Sequence, residues 1–330
     1  MNIAQVLRQA LFDADAVNID LTTHRFVTET ELLTWAQEGH ERLLTHLRQV
    51  REDYGLVVLK STDADFRWNG VTYDPSSFGL TTTATTYTLP PDLIELRQIR
   101  AITSGYEDRA FESKDLANRQ VVDRVRLASG NTTNDVIYWD IVGDRTLRLA
   151  IPPDVALDIE ISYIARPPLL RLYSTGTVST TQNSTSVTGA STPNWVINEL
   201  GLPLELMIAA SSTAPKIVSQ TAADPFVDPS ALYSPVLSID SDTTLTLQGN
   251  YLPTAVSTKA YLLASVPSVP REHQWLLVRF VTAMIRWKAS GTPGAELPDF
   301  QVLLQEMASD TAIRQTADPQ YVEDYDPQWD

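Results

Sequence analysis

The stretch from Arg271 to Lys288, REHQWLLVRFVTAMIRWK, is the most apolar helix-like segment of the chain and cannot stay solvated alone. Trp275, Leu276, Val278, Phe280, Val281, Met284, Ile285 and Trp287 leave only a narrow polar stripe of Gln274, Arg279, Thr282, Arg286 and Lys288. A helix apolar on so many sides needs partners on several of them. Each large apolar side chain it buries contributes about 1.5–3 kcal/mol, so a matching surface must exist.

That surface is expected far upstream. Thr28-Glu29-Thr30-Glu31 reads as a capping box, with the Thr28 hydroxyl placed to accept a backbone N–H while Glu31 reaches back. Behind it Leu32, Ala36, Leu43, Leu47 and Val50 recur at helical spacing, which predicts a helix from about Glu29 to Asp53, with Gly55 as its stop. Met1 to Ala14 carries Ile3, Val6, Leu7, Ala10 and Leu11 on one face and predicts a short first helix. The expected fold is α+β: a helical bundle of N- and C-terminal helices with a β-meander. Leu32, Ala36, Leu43, Leu47, Trp275, Val278, Phe280, Val281, Met284 and Ile285 are its predicted core.

Between these helices, Leu56-Val57-Val58-Leu59 is followed by a hairpin signal, Trp68-Asn69-Gly70, and by the strand-favouring run Thr81 to Thr88. Leu93 to Leu96 reads as a short helical segment after Leu89-Pro90-Pro91-Asp92, and Ser113 to Leu127 as another helix. Val136 to Val142 and Arg145 to Ile151, joined by Gly143-Asp144, form a hairpin to which Ile159, Ile161 and Tyr163 add a third alternating strand.

After Tyr173 the composition changes: twelve of the nineteen residues from Ser174 to Thr192 are Ser or Thr. Val236 to Ile239 and Thr244 to Leu247 flank a turn at Asp240-Ser241-Asp242, and Tyr261-Leu262-Leu263 makes a last strand. Residues 174–266 are therefore read as an inserted small all-β domain, a barrel or a sandwich. The core to which it is added comprises residues 1–172 and 268–330.

The chemistry of the chain is mostly exclusion. No cysteine is present, which removes disulfides, thiolate metal sites and cysteine nucleophiles together. His24, His40, His46 and His273 have no metal-ligand spacing, and His40 and His46, six apart on different sides of one helix, read as surface or interface histidines. Asp13, Asp15, Asn18 and Asp20 resemble the start of a calcium loop that lacks its glycine and its final glutamate. Phosphate-binding and nucleophile-elbow motifs are missing. Carboxylate pairs among 41 acidic residues carry no specificity, so no enzyme, cofactor or metal is indicated. MNIAQVLRQALFDAD lacks the pattern of a secretory leader, and no apolar run reaches membrane-spanning length, so no membrane association is expected.

The net charge is −16, and residues 296–330 hold nine acidic residues against Arg314 alone. Such a chain is poorly suited to gripping nucleic acid through its phosphates. In the last thirteen residues, 318–330, Tyr321, Tyr325 and Trp329 stand four apart among Asp324, Asp326 and their acidic neighbours. This is either a frayed terminus or a docking tail whose rings fill pockets on a partner while its carboxylates meet a basic rim.

Several stretches, taken in order, resemble the adaptor proteins of tailed bacteriophages, the head-to-tail connectors beneath the portal. Phe26 to Trp35 is similar to that family's start of the second helix, and Tyr87 to Leu96 to its extended Leu-Pro followed by an acidic turn. Thr146 to Leu149 with Pro152-Pro153, then Ile159 to Pro168, resembles its closing meander, and Arg271 to Lys288 its late helix. The resemblance implies a structural, non-enzymatic virion protein of the neck, assembled in the bacterial host cytoplasm. It implies a dodecameric ring between the portal protein and a tail or nozzle protein, through which DNA is packaged and ejected without specific binding. A different class of function, a receptor- or carbohydrate-binding tail protein, would act through the β insert with exposed Trp195, Tyr233 or Tyr251 as stacking platforms, although Trp and Tyr in such a domain are more often core residues. A wall-degrading enzyme is the weaker rival.

Overall fold

The computed structural model describes residues 1–14, 27–51, 53–68, 71–116, 136–191, 193–195, 203–209, 217, 232–251, 253, 255–290, 302 and 305. They divide into two compact units, one made of Met1–Glu52 with Leu169–Asp330 and the other of Asp53–Pro168. The described residues contain three α-helices and seventeen strands, so the molecule is mainly β-sheet. The expected helical bundle carrying an inserted β domain is therefore corrected: the helices form one layer on a large sheet, within a single unit.

In that unit, α1 (Ile3–Asp13) starts at Asn2, whose side chain accepts the Gln5 N–H while Gln5 returns a bond to the Asn2 backbone. α2 (Glu29–Val50) starts at the predicted Thr28–Glu31 capping box. It ends at Val50, short of the expected limit. Gly55, at φ +83°, instead turns the chain into the next strand and offers its C=O to the Ala165 N–H at 2.9 Å. α3 (Gln274–Ser290) is the apolar late helix.

α3 lies between the other two. It runs parallel to α1, with the Thr282 hydroxyl 3.4 Å from the Ala10 carbonyl and Arg286 donating to the Asp13 carbonyl at 2.6 Å. It runs antiparallel to α2, where Lys288 meets Glu31 at 2.6 Å and Phe280 meets Gly39. Two flanking helices explain why its sequence is apolar on several sides.

The sheet beneath has the order β10(Leu172–Tyr173)-β17(Tyr261–Ser265)-β13(Leu204–Ile208)-β14(Ser234–Ser241)-β15(Thr244–Leu247)-β12(Ser186–Ala190)-β11(Thr177–Thr180)-β16(Val256–Lys259). β14 pairs with β13 through its first residues and with β15 through the rest. Only Ala260 separates β16 from β17. The sheet thus folds back on itself around Val178, Val187, Trp195, Leu204, Leu206, Leu245, Tyr261 and Leu263.

All five residues of β17 are buried. Tyr261 and Leu263 enter that core, and the alternating Leu262 and Ala264 face the other way, where they are 3% and 0% exposed. A strand buried on both faces has no polar side to spend on solvent, which is why these strands are not an independent domain.

In the second unit, β9 (Ile159–Ala165) lies between β1 (Leu56–Lys60) and β5 (Leu93–Ala101). A second sheet has the order β4(Thr86–Thr88)-β8(Thr146–Leu149)-β7(Val136–Val142)-β6(Ala110–Ser113), and β2 (Phe66–Trp68) pairs with β3 (Val71–Tyr73) in register on either side of residues 69–70. Tyr73, Phe78, Leu89, Leu96, Ile99, Leu147, Ile161 and Tyr163 share one core.

Two expectations change here. β9 does not extend the β7–β8 hairpin into a meander but is the centre of another sheet, because alternation identifies a strand and not its partner. Leu93 to Leu96 is strand, not helix. Register shifts between Leu93 and Glu95 and between Leu96 and Gln98 place the buried residues Leu93, Leu96 and Ile99 three apart, a spacing that imitates a helix. Of the helix expected at Ser113 to Leu127, Ser113 ends β6 and residues 117–127 lie outside the described set.

Candidate functional site

The residues predicted to form a helical core are placed as follows. Leu32, Ala36, Leu43, Phe280 and Val281 are fully buried, Leu47 and Ile285 nearly so, and Val278 and Met284 are 5% and 6% exposed. Trp275 is 43% exposed and stands outside that core, as does Trp287 at 38%. Gln274 and Thr282, assigned to the polar stripe, are instead buried. Gln274 donates to the Val269 carbonyl, and the Thr282 hydroxyl turns back to the Val278 carbonyl at 2.8 Å. The Arg42 guanidinium lies 5.4 Å from the centre of the Phe280 ring and pairs with Glu38 one turn earlier. The Lys288 ammonium and the Thr28 cap hold the Glu31 carboxyl below the usual carboxylate range.

His40 is not the surface or interface histidine expected from the sequence but faces inward and is fully buried. Its Nε2 accepts the Ser268 N–H at 3.0 Å, which places the ring proton on Nδ1, an atom with no hydrogen-bond partner. Burial, with the Arg48 charge adding to it, lowers its pKa to about 4, so the ring is neutral at pH 7. His46 is half-buried on the same helix and His273 is buried, while His24 lies outside the described residues. Among the described residues no three His, Asp or Glu side chains converge as metal ligands.

An acid that sequence reasoning missed is Asp92, 8% exposed. The Tyr163 hydroxyl donates to its two oxygens at 3.1 and 3.3 Å, and burial pushes its carboxyl above the ordinary range. Burial likewise raises the Tyr163 phenol, and the Tyr73 phenol to about 12. The Asp92 carbonyl also accepts the Arg166 N–H at 2.6 Å. With Tyr163 1% exposed, no substrate reaches the pair. It ties the Leu89-Pro90-Pro91-Asp92 turn to β9, and the only sequence signal for it was an acid directly after two prolines.

Of the three aromatics that could have been stacking platforms or core residues, Tyr233 is half-buried while Trp195 and Tyr251 belong to the core. Trp195 is fully buried and donates from Nε1 to the Tyr261 hydroxyl at 2.8 Å, and that hydroxyl donates in turn to the Thr175 carbonyl at 2.5 Å. Tyr173 donates to the Pro193 carbonyl. A β-carbon at Gly189 would lie 2.6 Å from Pro193 and 3.0 Å from the Trp195 ring, so Gly189, Pro193 and Trp195 close one part of the folded sheet with the indole as its plug. Tyr251 is 8% exposed and belongs to the same core. A stacking platform needs an open face, and neither Trp195 nor Tyr251 offers one.

Tyr321, Asp324, Tyr325, Asp326 and Trp329 lie outside the described residues. No helix among those described is long and apolar enough to cross a membrane. The model of the SU10 adaptor protein family matches residues 1–211, a span that includes α1, α2, the whole second unit and the strands up to β13. No curated protein matches the chain.

Proposed function

Because the chain belongs to the SU10 adaptor protein family, and is therefore a structural component of a phage virion, we propose that it forms a ring between portal and tail that lines the passage of the DNA. The ring has twelve copies and joins the portal protein above to a tail or nozzle protein below. The observation that carries this reading is the family match running through both compact units, so that what is shared is the scaffold and not one motif. The net charge of −16 supports it as well. A conduit for a polyanion works best when clustered Lys and Arg do not hold the phosphates. The tail at Tyr321, Tyr325 and Trp329, with Asp324 and Asp326, docks on the portal.

Electron micrographs of the protein mixed with its portal test this directly. A twelvefold ring added to one face of the portal is the expected result. A portal left bare at saturating protein, or decorated irregularly, would refute it.

A further inference from the structure

We infer that the outer face of the β1-β9-β5 sheet is the surface through which one copy packs against the next, an inference that rests on the ring reading above.

Leu56 and Val58, 45% and 53% exposed, share this face with Lys60, while Val57 between them points to the other side, where Tyr163 lies opposite it. The phase of β1 is set by the bonds from Ala165 N–H to the Gly55 carbonyl and from Ser61 N–H to the Ile159 carbonyl. Val57 and Leu59 therefore turn their backbone groups to β9, and Leu56, Val58 and Lys60 turn theirs to the open edge. Both ends of that edge are already closed by local turns. Leu56 N–H donates to the Asp53 carbonyl at 2.9 Å, Lys60 N–H to the Asp63 carboxylate at 2.8 Å, and Asp63 N–H to the Lys60 carbonyl at 3.0 Å. An incoming strand would find little more than the Val58 groups and the Leu56 carbonyl, so side-chain packing and not strand addition is the mode of contact.

The chemistry across the face names the occupant. One row of the sheet is Leu56, Ile164 and Glu95, in which Ile164 is itself covered at 2% exposure. The open apolar patch is therefore Leu56 and Val58, with the exposed Ile94 in the bulge beside Glu95. The row at the other end is Lys60, Glu160 and Arg100, where Arg100 pairs with Glu160 at 2.7 Å. Arg97, in the second bulge, pairs with Glu95 at 3.2 Å. The face thus joins an apolar centre to a rim of three cations and two carboxylates, a local excess of positive charge on a chain of −16.

Another copy of the same chain presents the complementary sign, and like-charged copies can close a ring only where such a contact offsets their repulsion. A five-residue strand is roughly 16 Å long, so this face is the anchor of a larger contact and not the whole of it. Each copy offers this sheet face to one neighbour and a different surface to the other, which is the head-to-tail contact that generates rings.

Two variants of the full-length chain test the assignment with the portal present. Val58→Glu puts a carboxylate in the apolar centre, and Lys60→Glu reverses the exposed rim. Both should keep the wild-type thermal unfolding transition while raising the protein concentration needed for half-maximal ring assembly at least ~tenfold. The Lys60→Glu effect should shrink in 0.5 M salt.

If both folded variants assemble like wild type, the face is not the lateral contact and the inference falls while the ring stands. If they form rings but lose a tail component, the occupant is a different protein and the inference is again overturned. If wild-type protein forms no ring on the portal, the ring reading itself fails first.

Discussion

Gly39 marks the closest approach of α2 and α3. A β-carbon there would lie 2.6 Å from Phe280 Cδ1 and 3.0 Å from Leu277 Cδ1, and both side chains are fully buried, so neither can move aside cheaply. Alanine is the better helix former by roughly 0.8–1 kcal/mol, but overpacking a core costs about 1–3 kcal/mol, so the clash wins. Gly39→Ala should lower the midpoint of urea unfolding by a net loss on the order of 1–2 kcal/mol. An unchanged midpoint would mean that the two helices do not meet there.

One residue further on, His40 makes stability depend on pH. Its folded pKa of about 4 lies below the ordinary 6.5, so the unfolded chain takes up the proton first as pH falls. The contribution is complete above pH 6.5 and drains away between 6.5 and 4, where it amounts to roughly 3 kcal/mol. His40→Gln keeps an acceptor for the Ser268 N–H and cannot be protonated. Denaturant titrations between pH 7 and 4 should show a shallower loss for this variant than for wild type.

At the scale of elements, the two capped helices were legible because their signals are local. Thr28 and Glu31 sit three residues apart and satisfy each other in any context, and Leu32, Ala36, Leu43 and Leu47 trace one face. Hairpins were legible for the same reason, as at Gly143-Asp144, where Gly143 takes φ +64° between β7 and β8. What stayed hidden was long-range. Two bulges in β5 gave a strand the spacing of a helix, and β9 carried no sign that β1 and β5, not β8, would flank it. β17 did carry a sign, since Tyr261 to Ser265 lacks polar alternation and so had to be covered on both faces. Helices packed on that sheet are the cover that reading it as an insert overlooked.

The candidate site was less legible than the fold, because a docking surface shows in exposure, and exposure depends on which strands become neighbours. Trp195 could be read in sequence as a platform or as a core residue, and in the structure it is a plug. The acidic, aromatic C-terminus belongs to this scale too. Removing Asp318 to Asp330 should leave the unfolding transition in place and abolish retention on immobilised portal. Full retention of the truncated protein would show that the tail is not the docking element.

For the whole molecule, charge is the dominant consideration. Twelve copies at −16 carry −192, and repulsion on that scale opposes closure in free solution. The proposed ring is therefore expected to become stable only on the portal as its template, with the free protein monomeric. Light scattering with and without portal at low salt tests this most directly. The account predicts 36.6 kDa alone and, on the portal, a gain of twelve such masses, about 440 kDa. A stable dodecamer formed without portal would contradict the template, and a portal that gains no mass would contradict the connector ring itself.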